Sequence, residues 1–225
     1  MTKRWILPGG VPPDVASALR AYAPAEQAVL LRRGVRSQSA AEEFLRAESS
    51  SPDPFAMLGM RLAVERVGVA LSQSESIAVY GDYDADGLTA TALLVQYLEQ
   101  MGARVRPFIP NRYREGYGLT EDALRALTSD GVQLVLTVDC GARSVHEAAV
   151  AREIGLDLVI TDHHAPGSEL PAAIALVNPK QPGDSYPFSE LSGAGLAHKP
   201  TQAMAQAAHS VTSRCGTAKC CKTEF

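Results

Sequence analysis

No run of about 18 consecutive apolar residues occurs in this 225-residue chain, so the sequence offers no candidate membrane-spanning helix. The opening Met-Thr-Lys-Arg-Trp-Ile-Leu-Pro leads into no long hydrophobic region of the signal-peptide kind, and a cytoplasmic protein is expected. A disulfide framework is missing too. Cys215, Cys220 and Cys221 crowd the last eleven residues while Cys140 stands alone in the body. Nor is there a large excess of one charge. A net charge of -4 is not that of a protein wrapped in nucleic acid. Carboxylates gathered around divalent cations, however, make a site acidic in sequence and cationic once loaded, so a polyanionic substrate stays open.

What is present is apolar material, 46% of the residues, enough to bury a substantial core. Up to about residue 72 the pattern is helical. Val15–Tyr22, Ala25–Arg32, Ser39–Ala47 and Phe55–Leu71 carry apolar residues at three-to-four spacing, and Ser39 with Glu42 reads as a capping box. Glu48-Ser-Ser-Ser-Pro-Asp-Pro is a polar breaker that reads as a linker. From Ser76 short strands alternate with helices. Ile77–Tyr80, Arg104–Ile109, Leu134–Val138, Leu156–Thr161 and Ile174–Val177 are the strands; Leu88–Met101, Thr120–Ser129 and Ser144–Ile154 are the helices, the last opening on a Ser144 and Glu147 capping box. The expected fold is α/β: a mostly parallel five-stranded sheet flanked by helices, preceded by a helical amino-terminal region. Its domains are expected at residues 1–72, 73–199 and an atypical tail, 200–225. In that tail a short helix across Thr201–Ala208 is expected, and Val211–Phe225 has no periodicity.

Three clusters follow the strands directly: Asp82-Tyr-Asp-Ala-Asp-Gly87, Asp139-Cys-Gly, and Asp162-His-His164. In parallel sheets ligands gather beyond the carboxyl ends of strands, where all three clusters fall. Asp-x-Asp-x-Asp-Gly also opens a calcium-binding EF-hand loop, but the twelfth position from Asp82 is Leu93 rather than Glu, and a strand precedes it. Gly81 and Gly87 bracket the turn, where glycine permits unusual backbone angles. The bland reading of the first cluster is a helix cap. Capping uses one carboxylate, whereas three at alternate positions repel each other unless a cation intervenes. Asp139 alone reads equally as a cap; beside the first cluster it is a natural bridging ligand. Adjacent His163 and His164 point in different directions, so one can bind metal while the other faces substrate. Oxygen-rich ligation with imidazole suits Mn²⁺ or Mg²⁺, two ions, better than Zn²⁺. Cys140 reads as a small apolar filler.

The order and context of these motifs resemble the DHH phosphoesterase superfamily and, within it, the RecJ-type single-strand-specific exonucleases. The matching segments are Val79-Tyr-Gly-Asp-Tyr-Asp-Ala-Asp-Gly-Leu-Thr-Ala, Leu136-Thr-Val-Asp-Cys-Gly, Val159-Ile-Thr-Asp-His-His-Ala-Pro, Pro110-Asn-Arg-Tyr-Arg-Glu-Gly-Tyr-Gly-Leu and Leu191-Ser-Gly-Ala-Gly-Leu-Ala, within residues 1 to about 199. The resemblance implies that Asp84 holds one metal, Asp86 and His163 the other, and that Asp139 bridges them. It also implies that Asp82 supports the first cluster, that His164 meets the scissile phosphate, and that Gly193 and Gly195 contact substrate. It implies metal-dependent 5′-to-3′ hydrolysis of single-stranded DNA in repair and recombination, by water activated between the cations. Arg112, Arg114 and Tyr117 read either as phosphate and base contacts or as a solvated charged face. Relatives continue with a further aspartate ligand and a closing domain, so the tail reads as a truncation or a reading-frame slip and metal binding is expected to be weakened. Two rivals remain: a small-substrate phosphoesterase acting on oligonucleotides, cyclic dinucleotides or pyrophosphate, and a catalytically silent nucleic-acid-binding fragment.

Overall fold

The computed structural model describes residues 9–46, 51–111, 116 and 118–215. It divides into two compact units between Ser51 and Pro52. The first contains α1 (Pro13–Ala18), α2 (Pro24–Arg32) and α3 (Gln38–Arg46), closed around Val15, Leu19, Leu30, Val35 and Ala41. The expected capping box at Ser39 is not formed. Helix α3 starts one residue earlier, and the Ser37 hydroxyl accepts from the Ala40 amide at 3.3 Å.

The second unit begins with a 3₁₀ turn (Pro54–Ala56) and α4 (Met60–Ser72), so the single helix expected across Phe55–Leu71 is broken. Gly59 is the reason: it adopts φ 79°, and a Cβ there would meet the Leu176 backbone. Because α4 packs on the sheet side of the division at Ser51, the unit begins about twenty residues before the expected boundary at 72.

Five strands follow: β1 (Ser76–Tyr80), β2 (Arg104–Phe108), β3 (Leu134–Val138), β4 (Asp157–Thr161) and β5 (Ala175–Val177). All pair in parallel in the order β2-β1-β3-β4-β5. Between them run α5 (Ala85–Gln100), α6 (Glu121–Ser129) and α7 (Val145–Glu153), each within three residues of its expected bounds. The last helix is α8 (Gly193–Cys215). Period-two alternation sends Ile77, Val79, Leu134, Leu136 and Val159 to one face, packed with α4, α5 and α8. Ala78, Tyr80, Val135, Leu158 and Ile160 go to the other, against α6 and α7. Ser144 stands at the N-cap of α7 but its side chain makes no capping bond, so that expected capping box is absent as well.

The largest departure is α8 itself, because only Thr201–Ala208 was expected to be helical. Pro200 lies inside it, the residue that normally argues for a break. Buried packing of Leu196, Ala197, Ala203 and Met204 against the sheet outweighs the lost backbone bond.

One ion network ties the amino-terminal edge of this unit. Arg66 reaches Glu75 at 2.6 Å and Asp157 at 2.5 Å, with the Arg66 and Glu75 side chains nearly buried and Asp157 half-exposed. Truncating Arg66 strands the Glu75 carboxylate in a dry setting. Breaking a buried pair costs about 3–5 kcal/mol, lessened here by the exposure of Asp157. Arg66→Ala is therefore expected to lower unfolding stability by about 2–3 kcal/mol in urea titration; a loss under about 0.5 kcal/mol would contradict the buried-pair reading.

Candidate metal centre

Strand order β2-β1-β3 reverses direction between β1 and β3, the switch point where doubly wound sheets open a crevice at their carboxyl edge. The register aligns the strand ends there: Tyr80 pairs with Thr137, Val138 with Thr161, and Thr161 with Val177. Four of the five strands then release polar residues at this edge. Asp82 and Asp84 follow β1, Asp139 follows β3, Asp162, His163 and His164 follow β4, and Asn178 follows β5.

Helix α5 begins at Ala85, three residues before its expected start, because Asp84 caps it. Asp84 Oδ1 accepts from the amides of Asp86 and Gly87, each at 2.9 Å. Capping and clustering thus coincide in one carboxylate. Neither Gly81 nor Gly87 needs a left-handed backbone, contrary to the expectation; both are required by space. A Cβ on Gly87 would lie 2.6–2.7 Å from Asp82 atoms, and one on Gly81 would run into the Thr91 hydroxyl. Asp82 is buried, with Oδ1 accepting from Tyr83 N at 2.7 Å, and its pKa is raised chiefly by burial, with the Asp84 and Asp162 charges adding to it.

Asp139 occupies the centre. Its φ of 63° is left-handed, a conformation that Asp and Asn tolerate better than other side-chain-bearing residues. Both carboxylate oxygens are buried and neither has a hydrogen-bond partner among the described residues. His163 Nε2 stands 2.9 Å from Oδ1, close enough for ion pairing but without hydrogen-bond geometry. Burial first, then the charges of Asp84 and Asp86, push its pKa up to about 7. An orphaned buried carboxylate is costly in any protein unless a cation or proton joins it.

Asp139 belongs to two groups of ligand atoms lying within 4.8 Å of one another: Asp82, Asp84 and Asp139, and Asp139, His163 and His164. The two imidazoles have centroids 4.5 Å apart and planes tilted by 57°, and each offers a nitrogen to the group around Asp139. Asp86 is placed differently from the other aspartates. It lies 3.8 Å from His163 Nε2, but its Oδ2 accepts from Gly193 N at 2.6 Å and its Oδ1 from Ala194 N at 2.7 Å. Gly193 therefore gives its amide to Asp86, and Gly195 gives its own to the Ser192 hydroxyl at 3.1 Å. Those amides, expected to contact substrate, already have internal acceptors. Arg112, Arg114 and Tyr117 lie outside the described residues.

Asp162 stood in the third cluster without an assigned role, and Asn178 was missed from the sequence. Asp162, buried, accepts from Ala142 N at 2.8 Å through Oδ2 and from His164 N and Nδ1 at 3.1 and 2.8 Å through Oδ1. Donation from Nδ1 leaves Nε2 as the free nitrogen of His164. Asn178, fully buried, donates to the His164 carbonyl at 2.8 Å. A signal existed for both, since each follows a strand end as the other site residues do. Cys140 is the buried apolar filler expected, its thiol pKa raised by burial.

A parallel sheet whose carboxyl edge gathers carboxylates and imidazoles in this way defines the class: an α/β domain with a cluster of the kind that holds divalent cations. The chain belongs to the DHH family; the family model described as "DHH family, N-terminal domain" matches residues 76–221, continuing past Lys199, where the motif resemblance stops. It is 47% identical over 182 residues to the single-stranded-DNA-specific exonuclease RecJ of Bacillus subtilis, covering 80% of this chain and 23% of that protein. The crystal structure of the Thermus thermophilus RecJ in complex with Mn²⁺ superposes with a TM-score of 0.69 at 32% identity, over 89% of this chain and 28% of the other. A crystal structure of exonuclease RecJ bound to manganese gives a TM-score of 0.62 at 39% identity, over 68% and 38% respectively. The chain thus spans about a quarter of the length of the curated relative it matches. No helix among the described residues is long and apolar enough to cross a membrane.

Proposed function

We propose that this chain carries the catalytic metal-binding domain of a single-strand-specific DNA exonuclease that hydrolyses phosphodiesters from the 5′ end, acting in the cytoplasm in repair and recombination. The observation that carries this reading is Asp139: a buried carboxylate with neither oxygen hydrogen-bonded, shared by two ligand groups. The donor set, carboxylate oxygens with one or two imidazoles, suits Mn²⁺ or Mg²⁺. In this reading Asp82, Asp84 and Asp139 would hold one ion, and Asp139 and His163, with Asp86 beside them, would hold the other.

When bound, the pair of ions supplies Lewis-acid stabilisation of charge on the attacking and leaving oxygens. The chain's own groups do the rest. Asp139 sets the spacing of the two sites because its backbone is fixed in a left-handed turn at the strand end. His164, its Nδ1 occupied by Asp162, presents Nε2 to the scissile phosphate. Asp86, gripped by the start of α8, is held beside His163. Single-stranded DNA as substrate is supported by the activity that names the relatives, over the part that this chain shares with them.

A nuclease assay on 5′-end-labelled single strands with Mn²⁺ tests the reading. Parent protein is expected to release mononucleotides, and His163→Ala to be slower by about 10³-fold, the loss of several kcal/mol of charge stabilisation. Cleavage of a dinucleotide with none of the long strand would favour a small-substrate phosphoesterase. Equal activity of parent and His163→Ala would remove the metal-centre reading.

A further inference from the structure

The start of α8 touches two members of the cluster at once. Gly193 N and Ala194 N, the first two amides of the helix, each donate to a separate oxygen of Asp86 across 107 and 108 residues of sequence. These amides have no intrahelical acceptor; the first helical bond among the turn contacts is Leu196 N to Ser192 O at 2.8 Å. Charge-assisted bonds of this length are stronger than neutral ones, and they fix both the position and the rotation of the carboxylate. On its other side Gly193 abuts the central ligand: a Cβ there would fall 2.5 Å from Asp139 Oδ1 and 2.7 Å from its Cγ. Helix α8 therefore starts where side chains of the cluster converge, and only a glycine leaves room for it.

From this contact we infer that the amino terminus of α8 is a positioning element of the metal centre: the Gly193 and Ala194 amides orient Asp86, and the bare Gly193 Cα sets the approach to Asp139. This deepens the proposed function and rests on the cluster being a metal site. The backbone amides do not touch the ions. They act through Asp86, by holding a carboxylate that would otherwise swing freely or be drawn onto His163. Second-sphere partners of ligands typically alter metal affinity by about 10–100-fold.

Ala194→Pro removes one of the two donors and leaves the helix its other bonds. Proline is tolerated in a first helical turn, as at Pro13 and Pro24 in this same chain. With Mn²⁺ as the probe, titration calorimetry is expected to show affinity about tenfold weaker than the parent. Loss of one charge-assisted bond is expected to lower the metal-free circular-dichroism melt by a few degrees while the native spectrum is kept; a purely structural role would lower the melt and leave the affinity unchanged. Should Ala194→Pro fail to fold, the amide-to-ester variant at the same position replaces the N–H by oxygen without altering the side chain, and the same tenfold weakening is expected. Unchanged Mn²⁺ affinity in whichever of the two folds would overturn the positioning role. No Mn²⁺ binding by the parent would instead overturn the metal reading itself, and this inference with it.

Discussion

Asp139→Asn is expected to do two opposite things: abolish Mn²⁺-dependent hydrolysis and make the metal-free protein more stable. The argument for the second half is geometric. Asp139 carries a carboxylate whose oxygens are buried without hydrogen bonds, facing the charges of Asp84 and Asp86. Asn matches its shape, carries no charge, and is among the few side-chain-bearing residues at ease with a φ of 63°. Removing a carboxylate that burial and the charges of Asp84 and Asp86 disfavour is expected to raise stability by about 1–2 kcal/mol, the usual scale for relieving a strained functional site. That corresponds to a rise of about 2–8 °C in melting temperature for a protein of this size. The same substitution takes the shared ligand from both ions, and hydrolysis should fall by at least about 10³-fold. Differential scanning fluorimetry without metal and the end-labelled strand assay check the two halves separately. A destabilised but active variant would show that Asp139 serves the fold rather than the chemistry.

The second large effect is expected at Asp162. Its two oxygens accept three bonds, from Ala142 N, His164 N and His164 Nδ1, in a buried setting. Asp162→Ala leaves two amides and an imidazole nitrogen without their acceptor, each unsatisfied buried donor costing about 1–3 kcal/mol. A total loss of about 2–4 kcal/mol in unfolding stability is expected, some donors regaining water. His164 is freed to rotate at the same time, so catalytic turnover should fall by about 10–100-fold. Asp162→Asn separates the two contributions. It has one acceptor oxygen in place of two, and whichever way it turns its amide faces either Ala142 N or His164. Stability should therefore fall less than in Asp162→Ala while turnover remains depressed. Full turnover in Asp162→Asn would show that His164 needs no such support.

Most of the fold was legible because its signals are local. Runs such as Leu134-Val-Leu-Thr-Val announce strands buried on both faces, and the spacing between them announces crossover helices. The grouping of candidate ligands was legible for the same reason: Asp82, Asp84, Asp139, His163 and His164 each stand just after such a run, and a parallel sheet with aligned strand ends brings those positions together. What escaped depends on contacts between distant parts of the chain. Only a short helix across Thr201–Ala208 was expected at this end, yet tertiary packing carries α8 from Gly193 through Pro200. Asp86 read as a free ligand, because nothing in its neighbourhood of sequence indicates two amides at residues 193 and 194. The glycines at 81 and 87 read as turn formers, whereas crowding by Thr91 and Asp82 is what excludes a side chain there. The left-handed turn at Asp139 was invisible too, since Asp occupies many conformations and nothing in its local sequence selects this one.

The central claim is that two divalent cations share Asp139, and anomalous diffraction from crystals soaked in MnCl₂ tests it most directly. Two peaks are expected on either side of the Asp139 carboxylate, one toward Asp82 and Asp84, the other toward His163. A map with no anomalous density within coordinating distance of Asp139, from crystals in which these side chains are ordered, would contradict the account.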